Sequence, residues 1–263
     1  MTGRRNRSLL AAALVAAGLG AGALADGTGP MPPQWRAEVL AAYPHDPRAF
    51  TQGLFLNEGA LYESTGNYGA SSMRIVDLAT GVPVVKVDLP SQHFGEGATL
   101  APQGVVQLTW KEGIAHIWDP ASLERRGQFR YRGEGWGLTS DGERFYMTDG
   151  SEVLQVRNLK TFDLESTVTI TVRGQPLKRV NELEFVDGRI WANVWHEDEI
   201  VRFDPKTGVV DAFVSLRGLL PPAERQRENV LNGIAYDPAQ DIFYITGKNW
   251  PRLFAVRLRP PTP

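Results

Sequence analysis

The sequence contains no cysteine, which excludes disulfide staples, thiol nucleophiles and cysteine–metal sites in any compartment. Histidine is scarce too. The 263-residue chain has four, His45, His93, His116 and His196, and none stands at a metal-ligand spacing such as HExxH. There is no GxSxG elbow and no P-loop. Gly133-Glu134-Gly135 with Gly137 is a glycine cluster in the wrong context for a dinucleotide site. Neither sign of charge dominates: 28 Lys and Arg against 30 Asp and Glu give a formal charge of −2, so no basic surface advertises a nucleic-acid partner. Long apolar runs are missing beyond the first 25 residues. The whole chain is 42 % hydrophobic and 22 % charged, a globular balance that excludes disorder, collagen and coiled coil.

The one apolar run, Leu9 to Leu24, follows Arg4, Arg5 and Arg7 and ends in Ala23-Leu24-Ala25. A basic start, a short Ala/Leu/Gly/Val stretch and a small-x-small step form an export leader cut before Asp26. The stretch is shorter than the 18 or so residues expected of a membrane span. The reading is therefore a leader over 1–25, a linker over 26–35 and one domain over 36–260. The mature chain is expected to be exported, periplasmic or secreted, with no membrane association and no nucleic-acid partner, and to be a monomer.

The domain is a repeat. Gly53, Gly97, Gly137, Leu183 and Gly233 head comparable segments and lie 44, 40, 46 and 50 residues apart. Each is followed by a turn (Asn57-Glu58-Gly59, Pro102-Gln103-Gly104, Asp141-Gly142, Asp187-Gly188, Asp237-Pro238) and a second β-rich run. Short alternating strands joined this way are antiparallel hairpins. A period of 40–50 residues with three or four strands per unit predicts a five-bladed β-propeller, an all-β fold. A two-sheet sandwich would not explain the period. The fifth unit runs out near Leu258, and the orphan strand Ala37 to Tyr43 is expected to close the ring. Only Pro221 to Asn229 reads as helical.

In such a ring the innermost strands run in one direction, so the residues that open them gather at one mouth. These are Gln52, Glu96, Trp136, Asn181 with Glu182, and Asn232. The return strands end at the same mouth with Thr65, Trp110, Asp149, Trp195 and Lys248. A concavity with few polar groups and aromatic walls is what a small-ligand site looks like. Each member also has a plainer reading. Tryptophans pack between blades, as expected of Trp118 and Trp191, asparagines cap strand ends, and Lys248 suits a solvated loop.

Nine motifs carry a closer likeness. They are Phe50-Thr51-Gln52-Gly53-Leu54, Tyr62 to Gly69, Phe94-Gly95-Glu96-Gly97, Leu108 to Lys111, Gly133 to Leu138, Asn181 to Glu184, Ala192 to Trp195, Leu231 to Ala235 and Thr246 to Pro251. Spread over residues 36 to 258 and all five repeats, they resemble the glutaminyl-peptide cyclotransferases of the plant and bacterial type. The resemblance implies conversion of N-terminal glutamine of peptides and proteins to pyroglutamate with release of ammonia. It implies Glu96 as the catalytic carboxyl, with Gln52, Trp110, Trp136, Asn181, Trp195 and Lys248 around the substrate. The motif residues Phe50 and Phe94, and Asn232 from the mouth, are placed with them as substrate-binding.

The implied chemistry needs no cofactor, and no metal ligand is assigned, although a structural calcium in the channel stays open. Two other readings stay open as well. Glu and Asn at a channel mouth suit Ca²⁺ in a metal-dependent lactonase, and a non-catalytic propeller could use the tryptophan walls to bind peptides.

Overall fold

The computed structural model describes residues 29–225 and 229–261. The expected leader lies outside them, as do the first residues of the linker. Among the described residues, twenty-two strands and one 3₁₀ turn, Pro222–Glu224, make an all-β fold. That turn is what the described residues hold of the expected helix at 221–229.

Chain order builds the sheets. Strand β1 (Gln34–Pro44) begins inside the stretch read as linker. Strands β2 (Thr51–Asn57), β3 (Ala60–Thr65), β4 (Ser72–Val76) and β5 (Pro83–Asp88) form one antiparallel sheet. A second comprises β6 (Gly95–Ala101), β7 (Gly104–Thr109), β8 (Ile114–Trp118) and β9 (Arg125–Arg130). A third comprises β10 (Leu138–Ser140), β11 (Arg144–Met147), β12 (Val153–Asn158) and β13 (Leu164–Thr169). After the short hairpin β14 (Thr171–Val172) and β15 (Gln175–Pro176) come β16 (Val180–Val186), β17 (Arg189–Val194), β18 (Glu199–Phe203) and β19 (Val210–Ser215). The chain ends with β20 (Leu231–Asp237), β21 (Ile242–Gly247) and β22 (Arg252–Arg259).

These last seven strands and β1 share one eight-stranded sheet, β16-β17-β18-β19-β1-β22-β21-β20. Strand β1 joins its two halves, pairing antiparallel with β22 from Arg36↔Arg259 to Pro44↔Arg252 and parallel with β19 at Gln34 and Trp35. The N-terminal strand thus supplies the outer neighbour that the last repeat lacks.

The first strand of each group packs against the next: β2 on β6, β6 on β10, β10 on β16, β16 on β20, and β20 back on β2. The core lies between neighbouring sheets. Phe55, Met73 and Ile75 of the first meet Ala98, Val105 and Trp118 of the second. Leu54 and Leu61 meet Ala235 and Tyr244 on the other side. With both faces covered, the inner strands β2, β3, β6 and β7 are buried along nearly their whole length, polar residues included, whereas the outer strand β5 alternates between half-buried and exposed residues. Trp118 and Trp191 are buried packing residues, as expected, and Trp118 donates its Nε1–H to Gln107 Oε1 at 3.0 Å.

One detail of register places the site. In β2, β6, β16 and β20 the ladder slips by one residue just inside the start, between Thr51 and Gly53, Gly95 and Ala98, Val180 and Leu183, and Leu231 and Ile234. Each slip is a β-bulge, an extra residue that leaves the ladder and re-aims its side chain. The bulged residues are Gln52, Glu96-Gly97, Asn181-Glu182 and Asn232-Gly233. Gly233 sits at φ +117°, and a Cβ on Gly97 would lie 2.6 Å from Trp136 O and Leu138 N, so neither position accepts a side chain without strain.

Candidate active site

A cavity of about 440 Å³ opens at the end of the molecule where the bulges lie. It is lined by Phe50, Gln52, Asn67, Phe94, Glu96, Trp110, Trp136, Asn181, Trp195, His196 and Lys248. Of the residues assigned above to catalysis and substrate binding, all but Asn232 converge there, and Asn67 and His196 join them.

Glu96 is the only carboxylate among the lining residues, and it is 4 % exposed. Its Oε1 accepts the Nε2–H of Gln52 at 3.0 Å. Gln52 is held in turn from behind by Asn232, whose Nδ2 donates to Gln52 Oε1 at 3.3 Å and to Thr51 O at 3.0 Å. Asn232 therefore stands behind the wall rather than on it. The Glu96 backbone is fixed as well, because Ser64 Oγ donates to its carbonyl and Gly97 N donates to Trp136 O at 2.7 Å.

Burial pushes the Glu96 carboxyl well above the usual carboxylate range. The Lys248 ammonium pulls it back, and the rim carboxylates Glu134 and Glu112 push it further up. Lys248 is buried too, with Nζ 4.8 Å from the centroid of Phe50. Desolvation lowers its pKa to about 8, against the opposing charge of Glu96. The cavity thus holds an acid that resists ionising and an ammonium that readily gives up its proton, the pairing that acid–base chemistry near neutral pH requires.

Aromatic rings make the walls. Trp136 meets Trp195 edge to face at 5.6 Å, and Phe94 bridges Phe50 at 6.1 Å and Trp110 at 5.6 Å. Asn181 Oδ1 is buried with no hydrogen-bond partner, a polar group presented by a wall that otherwise has few. An orphan acceptor of this kind costs free energy unless a ligand donates to it.

Of the other mouth residues, Thr65 is paired with Ser72 and Asp149 with Ser151 and Gln155. Glu182 turns away from the cavity, its Oε1 accepting Leu54 N–H at 3.2 Å and its Oε2 accepting Ile234 N–H at 2.9 Å. It joins three inner strands.

Sequence reasoning missed Asn67 and His196. Both are exposed at the rim with left-handed backbones, φ 92° and 68°, and His196 stacks on Trp195 at 4.1 Å. Their neighbours in the Tyr62–Gly69 motif and beside Trp195 were the available signal. Among the described residues no group of three or more His, Asp or Glu is arranged to hold a metal ion.

Comparison with known proteins identifies the family. A model of the family "Glutamine cyclotransferase" matches residues 9–258. The glutaminyl-peptide cyclotransferase of Arabidopsis thaliana is 37 % identical over 228 residues, 84 % of this chain and 71 % of that protein. The crystal structure of Myxococcus xanthus glutaminyl cyclase superposes with a TM-score of 0.82 at 36 % identity, covering 88 % of this chain and all of the other. With a buried carboxyl, an ammonium and an aromatic cavity assembled by bulges across the whole repeat, and with that match running nearly end to end, the chain belongs to the glutamine cyclotransferase family.

Proposed function

We propose that this protein is a glutaminyl-peptide cyclotransferase, acting on peptides and proteins with N-terminal glutamine. The observation that carries the reading is Glu96, a desolvated carboxyl hydrogen-bonded to Gln52 inside an aromatic cavity that also holds Lys248.

The substrate's α-amine nitrogen attacks its own γ-carboxamide carbon, closing a five-membered lactam. The C–N bond to the amide nitrogen then breaks and ammonia leaves. The enzyme has to fold the side chain back, take one proton from the amine and return one to the leaving nitrogen. Glu96 takes both parts, base then acid, and a carboxyl whose pKa is raised toward working pH is matched to each. Lys248 faces the oxygen on which negative charge develops. Asn181 Oδ1 accepts an N–H of the bound glutamine, and the aromatic walls select the compact cyclic conformer. Every step is a proton transfer or a bond exchange within the substrate, so no cofactor is required. Turnover of a Gln-initiated dipeptide, measured as ammonia release, tests the assignment directly, and absence of release by the folded protein would overturn it.

The fold is read more finely as a five-bladed β-propeller over 36–260. Support comes from three separate four-stranded sheets, from division of the eight-stranded sheet into two runs of four at β19–β1, and from the circuit of contacts among the first strands. Export is inferred from the leader pattern, and a mature chain beginning at Asp26 by mass spectrometry is the expected result.

A further inference from the structure

Glu134 is flanked by Gly133 and Gly135, as Glu96 is by Gly95 and Gly97, but it does not line the cavity. A single oxygen, Oε2, accepts the indole N–H of Trp110 at 2.7 Å and that of Trp136 at 3.1 Å. Its other oxygen lies 3.8 Å from Lys111 Nζ, which sits 3.6 Å over the Trp110 ring centroid. The segment that carries it is pinned through the main chain to Trp110 and to Thr148. Gly135 N donates to Trp110 O at 2.9 Å, and Trp136 N donates to Thr148 O at 2.9 Å. Trp136 in turn rests edge-on against Trp195.

Two tryptophans from different repeats, one just after β7 and one just before β10, thus have their ring planes set by one acceptor. An indole has two side-chain torsions and one N–H. Packing alone leaves its tilt free to vary, whereas a charge-assisted hydrogen bond fixes it.

We propose that Glu134 is a positioning residue for the reaction, clamping Trp110 and Trp136 in the orientation that shapes the cavity around the cyclising glutamine. The proposal rests on the cyclotransferase reading. The carboxylate reaches the reacting atoms only through the two rings, so it is no catalytic residue itself.

The test is a double-mutant cycle on the full chain with a Gln-initiated dipeptide. Folding is followed by far-UV circular dichroism and melting temperature, and indole environment by near-UV circular dichroism. Glu134→Ala removes the acceptor. It is expected to keep the fold, change the near-UV signal and lower kcat/KM by about 10²-fold, mainly in kcat, as misplaced walls do. Glu134→Gln retains a carbonyl acceptor and should recover kcat/KM to within about tenfold of wild type.

In a Trp110→Phe, Trp136→Phe background there is no N–H to clamp, so Glu134→Ala should change kcat/KM less than threefold further, the non-additivity that marks contacting residues. Wild-type kinetics in Glu134→Ala would overturn the proposal. So would equal losses in the Ala and Gln variants, or full additivity in the double-phenylalanine background. A wild-type protein that releases no ammonia would instead defeat the functional reading, and the near-UV comparison would still report on the clamp.

Discussion

In the proposed mechanism Glu96 meets opposing demands, because it would have to ionise to accept a proton while its burial among aromatic rings favours the neutral acid. Glu96→Gln keeps the volume and an acceptor for Gln52 but ends proton transfer. Its kcat should fall by about 10²–10⁴ while peptide binding persists, and ammonia-release kinetics beside calorimetric binding check both halves. The pH profile follows from the two buried groups. The acid limb of kcat/KM should rise with pH through a value above the ordinary carboxylate range, as Glu96 ionises. The alkaline limb should fall above about 8, as Lys248 loses the proton that lets it face an oxyanion. Lys248→Met should be slower and lack that alkaline limb. Wild-type kcat/KM of Lys248→Met at about pH 7, where the lysine is still charged, would remove the lysine from the mechanism.

The bulges and the pairs that brace them belong to the scale of strands. Glu182 satisfies the backbone N–H groups of Leu54 and Ile234 near two of the slips. Glu182→Ala should therefore destabilise the protein by about 1–3 kcal/mol for each orphaned donor, read from denaturant melts, rather than acting on the chemical step. Behind β1, His45 donates one ring nitrogen toward Glu63 Oε1 at 2.9 Å and the other toward Trp250 O at 2.6 Å, tying the first sheet to the last. Burial would lower the His45 pKa, but the charge and hydrogen bond of Glu63 outweigh it and raise it. A group raised in the folded state contributes stability below its unfolded value of about 6.5 and loses it as pH climbs through the folded value. Glu63→Gln should cost about 3–5 kcal/mol and flatten the decline in stability above pH 6.5, as melting temperature against pH would show. The repeat made the opening residues of each inner strand legible, because glycine spacing and strand direction both survive in a sequence. The one-residue slips did not, since a bulge is a relation between partners. That is why Asn232 and Glu182 were expected on the wall and stand behind or away from it. Glu134 lay in a glycine cluster read only as the wrong context for a dinucleotide site, because its reach to two indoles depends on segments from two repeats meeting.

For the whole molecule, continuity of the eight-stranded sheet depends on β1. Removing residues 34–44 would leave the β22 and β19 edges unpaired. Such a chain should aggregate or melt more than about 10 °C lower, and an unchanged melting curve would argue against closure by this strand. Turnover should survive exhaustive EDTA treatment, because the proposed steps move only protons within the substrate. Loss of activity restored by Ca²⁺ at unchanged melting temperature would favour the lactonase reading. The pairing of β1 with β22 also has a consequence in time. The strand made first finds its partner more than two hundred residues later, and contacts so distant form slowly and late. A chain emerging in order contains every lining residue from Phe50 to Lys248 before Arg252 to Arg259 exists. It carries all the cavity-lining side chains before the eight-residue strand that pairs with β1 has been made, so folding of the cavity's frame should lag behind synthesis of its residues.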